Sequence, residues 1–153
     1  MNKKGFTMVE LMAVIIILGI LMSLAYMGVT QYLERARDAT YEDFEENIRT
    51  GATNYLIDHT GYIPEVGESI VIDVSKLICE GYVEELQDPH SPTKGGTCNL
   101  NSYAIVTREE DTSSNMMITY EACLSCSEYK SEACSKNITG FTRLTKDADC
   151  EVN

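Results

Sequence analysis

Hydrophobic and polar positions divide the chain into distinct regimes. From Leu11 to Val29 there is no charged residue, and about 19 residues of helix at 1.5 Å each cover roughly 29 Å, close to the thickness of a hydrocarbon core. This run predicts a membrane-spanning helix. Beyond it, apolar positions recur in steps of three or four, at Leu33, Ala36, Thr40, Phe44, Ile48, Ala52 and Tyr55, which is the stripe of an amphipathic helix. The opposite side carries Glu34, Arg35, Asp38, Glu42, Glu45, Glu46 and Arg49. No proline separates the two regimes, so the pattern predicts one helix from Phe6 to about Ile57, roughly 78 Å long. Gly28 is its expected soft point, because glycine costs a helix about 1 kcal/mol relative to alanine. Asp58-His59-Thr60-Gly61 ends the helix and Ile63-Pro64 prevents an immediate restart. His59 then stands at a helix C-terminus, where the dipole favours it without any catalytic role.

The remainder alternates with period two. Ser69 to Asp73 reads as a strand, after which Asp73 or Ser75 caps one or two helical turns that stop at Gly81. Cys98 to Cys126 reads as a β-hairpin, with Leu100, Ala104 and Val106 matching Ile118, Tyr120, Ala122 and Leu124 on one face, and Glu109 to Asn115 as a polar loop. These even-numbered residues form the expected inner face against the helix stripe. If Val106 opposes Ile118, the same register sets Ala104 against Tyr120, Leu100 against Leu124 and Cys98 against Cys126. Opposed residues lie about 4.5 to 5.5 Å apart at Cα, within disulfide reach, whereas Cys123 and Cys126 on one extended strand are roughly 10 Å apart. Cys98 to Cys126 is therefore the predicted bridge. The tail from Ser127 is polar, with one expected strand at Gly140 to Leu144, and Asn137-Ile138-Thr139 fits a glycosylation sequon.

Charge and cysteine placement set the topology. Lys3 and Lys4 precede the spanning run, which keeps the N-terminus cytoplasmic and sends everything after Val29 outward. All six cysteines, at 79, 98, 123, 126, 134 and 150, lie in that outer part, where an even count reads as up to three disulfides among fifteen pairings. Cys123-Leu124-Ser125-Cys126 is the one C-x-x-C. A zinc site needs a second close pair or histidines and a redox motif needs a βαβ context, and the sequence offers neither. The 153 residues allow one domain, of which about 125 remain outside the spanning helix. A formal charge of −12 argues against binding nucleic acid through its phosphates. His90 reads as a loop residue. No nucleophile stands with a base and no loop cradles phosphate, so the sequence indicates neither an enzyme, a cofactor nor a metal site.

Glu10 interrupts this picture. About a dozen apolar side chains favour insertion by roughly 5 kcal/mol, while an acid at mid-bilayer costs about 3, so an intramembrane carboxylate marks a function. The nearby lysines lie on the other side of Gly5. A cut between Gly5 and Phe6 would instead create an α-ammonium one helical turn from Glu10, on this chain or on a neighbour. The alternatives are a secretory signal cut near Ser23-Leu24-Ala25 and an uncleaved anchor. A secretory signal would have a core that begins with an acid, and the helix pattern runs through the supposed cut.

The string Lys3-Lys4-Gly5-Phe6-Thr7-Met8-Val9-Glu10, followed by an apolar helix, resembles the cleavage and methylation signal of type IV pilins and pseudopilins. This resemblance implies that a membrane prepilin peptidase cuts after Gly5 and methylates Phe6, and that Glu10 is the assembly glutamate. It implies an α+β, pilin-like fold in which one long N-terminal helix packs on a small antiparallel sheet. The chain would divide into a leader (1–5), a transmembrane or filament-core helix (6–29) and a globular head (30–153). The expected partners are the peptidase, further copies and other pilins, an assembly platform protein and the membrane. The expected place is the cytoplasmic membrane before assembly and a cell-surface filament afterwards. The function implied is a structural subunit of a type IV pilus, with two alternatives: a pseudopilin of a type II secretion or competence fibre, or an anchored extracellular binding domain that never polymerises. Leu77, Gly81, Tyr82, Val83 and Asp88-Pro89 are similar to a pseudopilin segment in which a short helix ends in Gly-Tyr and leads to an Asp-Pro turn, although His90-Ser91-Pro92 follows here in place of the usual aromatic residue. Pilins often carry a proline after the spanning core, where this chain has Met27-Gly28. Many pilins close a C-terminal disulfide loop, which implies Cys134 with Cys150 and leaves Cys79 with Cys123. Loops of this size are typically worth 2 to 4 kcal/mol each, as a rough guide.

Overall fold

The computed structural model describes residues 7–91, 96–110 and 116–152. Helix α1 runs from Met8 to Asp58, so the two hydrophobic regimes form one helix that continues through Gly28. Contacts divide the chain into two units, one ending at Asp38 and the other beginning at Ala39. In the first unit every described side chain from Met8 to Ala36 is exposed. In the second, α1 buries Tyr41, Ile48, Ala52, Tyr55 and Leu56. The stripe expected from Leu33 thus begins at Tyr41. Leu33 and Ala36 carry the helical spacing but lie in the unit where the helix buries nothing.

Four strands complete the second unit: β1 (Ser69–Asp73), β2 (Tyr103–Glu110), β3 (Met116–Cys123) and β4 (Phe141–Leu144), in the order β3-β2-β1-β4. The first three are antiparallel, while β4 lies parallel to β1, which makes the sheet mixed. Ile70, Ile72, Ala104, Val106, Ala122 and Leu124 are buried in one cluster with Tyr41, Ile48, Ala52, Tyr55 and Leu56 of α1, and Ile118 and Tyr120 pack partly buried against it. The even-numbered face is therefore the inner one, but its register differs from expectation by two residues. Val106 opposes Tyr120 and Ala104 opposes Ala122. A slip of two leaves each side chain on its own face, so burial alternation alone does not distinguish the two registers. Leu100, expected on the inner face, is 62% exposed because it lies in the turn that precedes β2.

The odd-numbered face is covered as well. Val71 and Ile105 are almost fully buried, and the segment Lys136–Ile138 shares clefts with Ile105 and Thr107 and with Val71 and Tyr103. That segment links a 3-10 turn at Glu132–Ser135 to β4, passing over the outer face of the sheet. Ser131 fixes its start, for its hydroxyl accepts from the Leu124 amide at 2.9 Å and donates to the Ala122 carbonyl at 3.1 Å.

Three disulfides close the unit: Cys98–Cys126, Cys123–Cys134 and Cys79–Cys150. The first is the predicted bridge, although the hairpin register behind it is displaced by two residues. The other two exchange the partners that the pilin resemblance implied. Cys123 has an odd number and so leaves β3 on the outer face, where the turn at Glu132–Ser135 brings the Cys134 Cα within 4.6 Å. The tail then returns past β4 to the end of helix α2 (Val74–Cys79), which leaves Cys150 for Cys79.

Helix α2 begins after Asp73, whose carboxylate pairs with Arg143 at 2.8 Å and makes no cap hydrogen bond. It ends at Gly81 with φ +79°. The Tyr82 amide donates to the Leu77 carbonyl and the Gly81 amide to that of Ile78, a reversal that requires a left-handed residue. This sends Tyr82 and Val83 directly onto Gly51 of α1. A Cβ at Gly51 would stand 2.3 Å from the Val83 Cγ2 atom and 3.1 Å from the Tyr82 carbonyl oxygen.

Beyond this contact Asp88 is buried, and no ion pair among the described residues involves it. Its carboxylate accepts from the Tyr41 hydroxyl at 3.0 Å, the His90 amide at 3.0 Å, the Ser127 amide at 2.9 Å and the Ser127 hydroxyl. Burial pushes its pKa upward, but the hydrogen bonds from Ser127, His90 and Tyr41 outweigh burial and hold it at about 2. Tyr41 gives its one proton to Asp88, so the His90 Nδ1–H donates to the Tyr41 oxygen at 2.6 Å.

Two outcomes follow for the detergent-solubilised chain. Gly51→Ala should lower stability by about 1 to 3 kcal/mol through overpacking, against the usual gain for such a change in a helix, and Val83→Ala in the same chain should recover part of it. Denaturant unfolding measures both. Because folding depresses the Asp88 pKa, its contribution is complete above about pH 4 and is lost as pH falls through about 2. Asp88→Asn should cost about 1 to 3 kcal/mol at neutral pH and flatten this part of the acid dependence in a stability-versus-pH series.

Candidate functional site

The chemistry expected at the N-terminus centres on Gly5, Phe6 and Glu10, of which Gly5 and Phe6 lie outside the described residues. Glu10 stands in the first turn of α1. The Thr7 amide and hydroxyl both donate to Glu10 Oε2 at 2.9 Å, while the Glu10 amide donates back to the Thr7 hydroxyl at 3.3 Å. This reciprocal arrangement is a capping box, in which a threonine at the cap and a glutamate three residues on satisfy amides that the helix leaves unpaired. It also fixes the carboxylate at the end of an apolar, exposed helix. Thr7 was not singled out above, although Thr-x-x-Glu before an apolar run is the sequence signal for this motif.

α1 contains the one stretch among the described residues that is long and apolar enough to cross a membrane. Its side chains there are exposed all round. A helix that is apolar on every side and packs on nothing of its own requires lipid or other helices around it.

The polar groups of the second unit face one another. All six cysteines are in disulfides, and Cys123 and Cys126 of the C-x-x-C each bind a different partner. The four groups around Asp88 all donate hydrogen bonds to its carboxylate. His90 is engaged by Tyr41, which also stacks on Tyr129 with ring centroids 4.2 Å apart. Tyr129 in turn donates to Glu45 at 2.8 Å, so Glu45, expected on the solvated side of the helix, belongs to the packed end of this network. At the other end of α1, His59 stacks on Tyr55 at 4.4 Å, and its Nδ1 lies 3.0 Å from the Tyr55 carbonyl. The Tyr55 carbonyl already accepts from the His59 amide at 2.9 Å, so the imidazole is a second contact at this helix end. Next to it Tyr82 donates to Asp58 at 2.8 Å, an attachment that pushes the phenol up to about 12.

Comparison with known proteins finds one family motif and a set of relatives. Residues 1–26 match the model of the prokaryotic N-terminal methylation motif. The chain is 29% identical over 85 residues to the competence protein ComGC of Bacillus subtilis, an alignment covering 56% of this chain and 79% of that protein. It is 32% identical over 89 residues to the competence protein ComGC of Halalkalibacterium halodurans, covering 58% of this chain and 79% of the relative. With the type IV major pilin protein PilE of Neisseria gonorrhoeae it shares 34% identity over 85 residues, 56% of this chain but only 50% of the pilin. No solved structure matches the chain. The methylation motif, the long α1 on a small sheet and relatives that are structural proteins lead to one assignment: the chain belongs to the type IV pilin and pseudopilin family and is a structural subunit of a pilus-like filament.

Proposed function

We propose that residues 1–5 are a leader removed by a prepilin peptidase between Gly5 and Phe6, with methylation of the new N-terminus at Phe6. The processed subunit waits in the cytoplasmic membrane, held by the helix over residues 6–29. It then enters a cell-surface filament with the help of an assembly platform protein. The heads, residues 30–153, form the filament's surface. One observation carries this reading: a carboxylate held at the first turn of an otherwise apolar, unpacked helix. Both contacts from Thr7 go to Oε2 of Glu10, and the cut places an ammonium on the residue just before Thr7. In a low-dielectric filament core, attraction between Glu10 and the Phe6 ammonium of a neighbour far exceeds its value in water, so it selects register as well as adding affinity.

A second reading is that the filament is a competence fibre for DNA uptake. It is favoured by the larger share of the two competence proteins that the chain covers, compared with the pilin. Type II secretion is the remaining variant, and an anchored domain that never polymerises is the reading from another class. Sheared-filament recovery separates the last from the others. Transformation and secretion assays in a deletion strain separate the machines, and loss of transformation with intact secretion is the result expected of a competence fibre.

Two further outcomes are expected. Intact-mass measurement on filaments should give a chain that begins at a methylated Phe6, and a start at Met1 or Tyr26 would sink the pilin processing reading. Glu10→Ala should leave a processed, membrane-inserted subunit that yields at least tenfold fewer filaments, whereas Thr7→Val, which removes only the hydroxyl, should cost about 1 kcal/mol of helix capping and reduce yield less. Normal yield from Glu10→Ala would remove Glu10 from assembly.

A further inference from the structure

Just past the spanning run, α1 carries exposed apolar and basic side chains. Tyr32 is 72% exposed and Leu33 is 49% exposed. Arg35 is exposed too, and no ion pair among the described residues involves it. Tyr32 and Arg35 are three apart and so neighbour each other on one face of the helix. Both lie past Val29, beyond the stretch that a hydrocarbon core can cover.

The second unit holds a groove of matching chemistry. It lies between α1 and the segment that follows α2, with a volume of about 330 Å³. Phe44, Val83 and Leu86 supply its apolar floor, and Glu84 and Glu85 stand on its rim. Val83 and Leu86 are buried, Phe44 is half-buried, and both glutamates are exposed. Among the described residues neither glutamate forms an ion pair. The groove thus presents an apolar bottom under two uncompensated carboxylates, and its complement is an aromatic ring beside a cation.

We infer that this groove receives Tyr32 and Arg35 of a second copy of the chain in the filament, the ring against Phe44 and Val83 and the guanidinium against Glu84 or Glu85. The inference rests on the filament reading and adds to it a contact between heads and helices separate from Glu10. Unlike the apolar contacts of the spanning run, this one is directional, since an arginine selects a carboxylate-rimmed groove among many apolar surfaces.

The test uses the full-length chain assembled in cells. Arg35→Glu should lower sheared-filament yield at least tenfold with subunit level and processing unchanged, and so should Glu84→Arg combined with Glu85→Arg. All three substitutions together should restore at least half of the wild-type yield, because the charges again oppose. Processing, which is read at Phe6, reports independently that each variant is made and inserted. A photo-crosslinking residue in place of Tyr32 should join two copies, with the crosslink mapping between Asn47 and Leu86. Wild-type filaments whose yield ignores the reversals, a triple variant that is not restored, or a crosslink that maps outside the groove would each overturn the docking while leaving the filament reading intact. Absence of filaments from the wild-type chain would overturn both.

Discussion

The head depends on one interaction, the burial of the α1 stripe from Tyr41 to Leu56 against the even-numbered face of the sheet. Other features serve its closeness. Gly51 lets Tyr82 and Val83 lie directly on the helix, and the left-handed Gly81 aims them there. Asp88 ties the Tyr41 end of the stripe to the chain at Ser127, and Tyr129 stacks over the same tyrosine. A small unit with a thin core gains much from this, because among the described residues no buried side-chain nitrogen or oxygen lacks a hydrogen-bond partner.

Much of this was legible from pattern. The 3.6-residue spacing revealed the helix, the two-residue alternation revealed the inner face, and β1 was read with its observed ends. Register was not legible, because Val106 opposite Ile118 and Val106 opposite Tyr120 bury the same side chains. The bridge from Cys98 to Cys126 survived that slip because both cysteines lie beyond the strand ends, where the backbone still brings their Cα atoms to 4.6 Å. The cover over Val71 and Ile105 was also hidden. It comes from Lys136–Ile138, a polar stretch whose contribution lies in where it passes and not in its periodicity. The partners of Cys79 and Cys134 depend on that same path, and nothing local to those cysteines records it.

The N-terminal site was legible in a different sense. Glu10 stood out because an acid in an apolar run is costly, but Thr7 did not, since a threonine there disturbs no pattern. The structure joins them, and the Glu10 carboxylate completes the helix start. Substitutions at Thr7 and Glu10 remove the same hydrogen bonds, so they are coupled and are not expected to add independently.

The position of β4 has a consequence for how the chain matures. β4 pairs in parallel with β1, about seventy residues earlier, and the adjacent disulfide joins Cys79 to Cys150 across a separation of 71. Closing loops of this length precedes any reward from the contacts themselves, which makes such topologies slow to form. The sheet edge beside β1 stays open until β4 pairs with it, and an open edge is a template for wrong pairing between chains. Pairing of β4 covers that edge, and the Cys79–Cys150 bridge then fixes the chain beyond β4 to the end of α2.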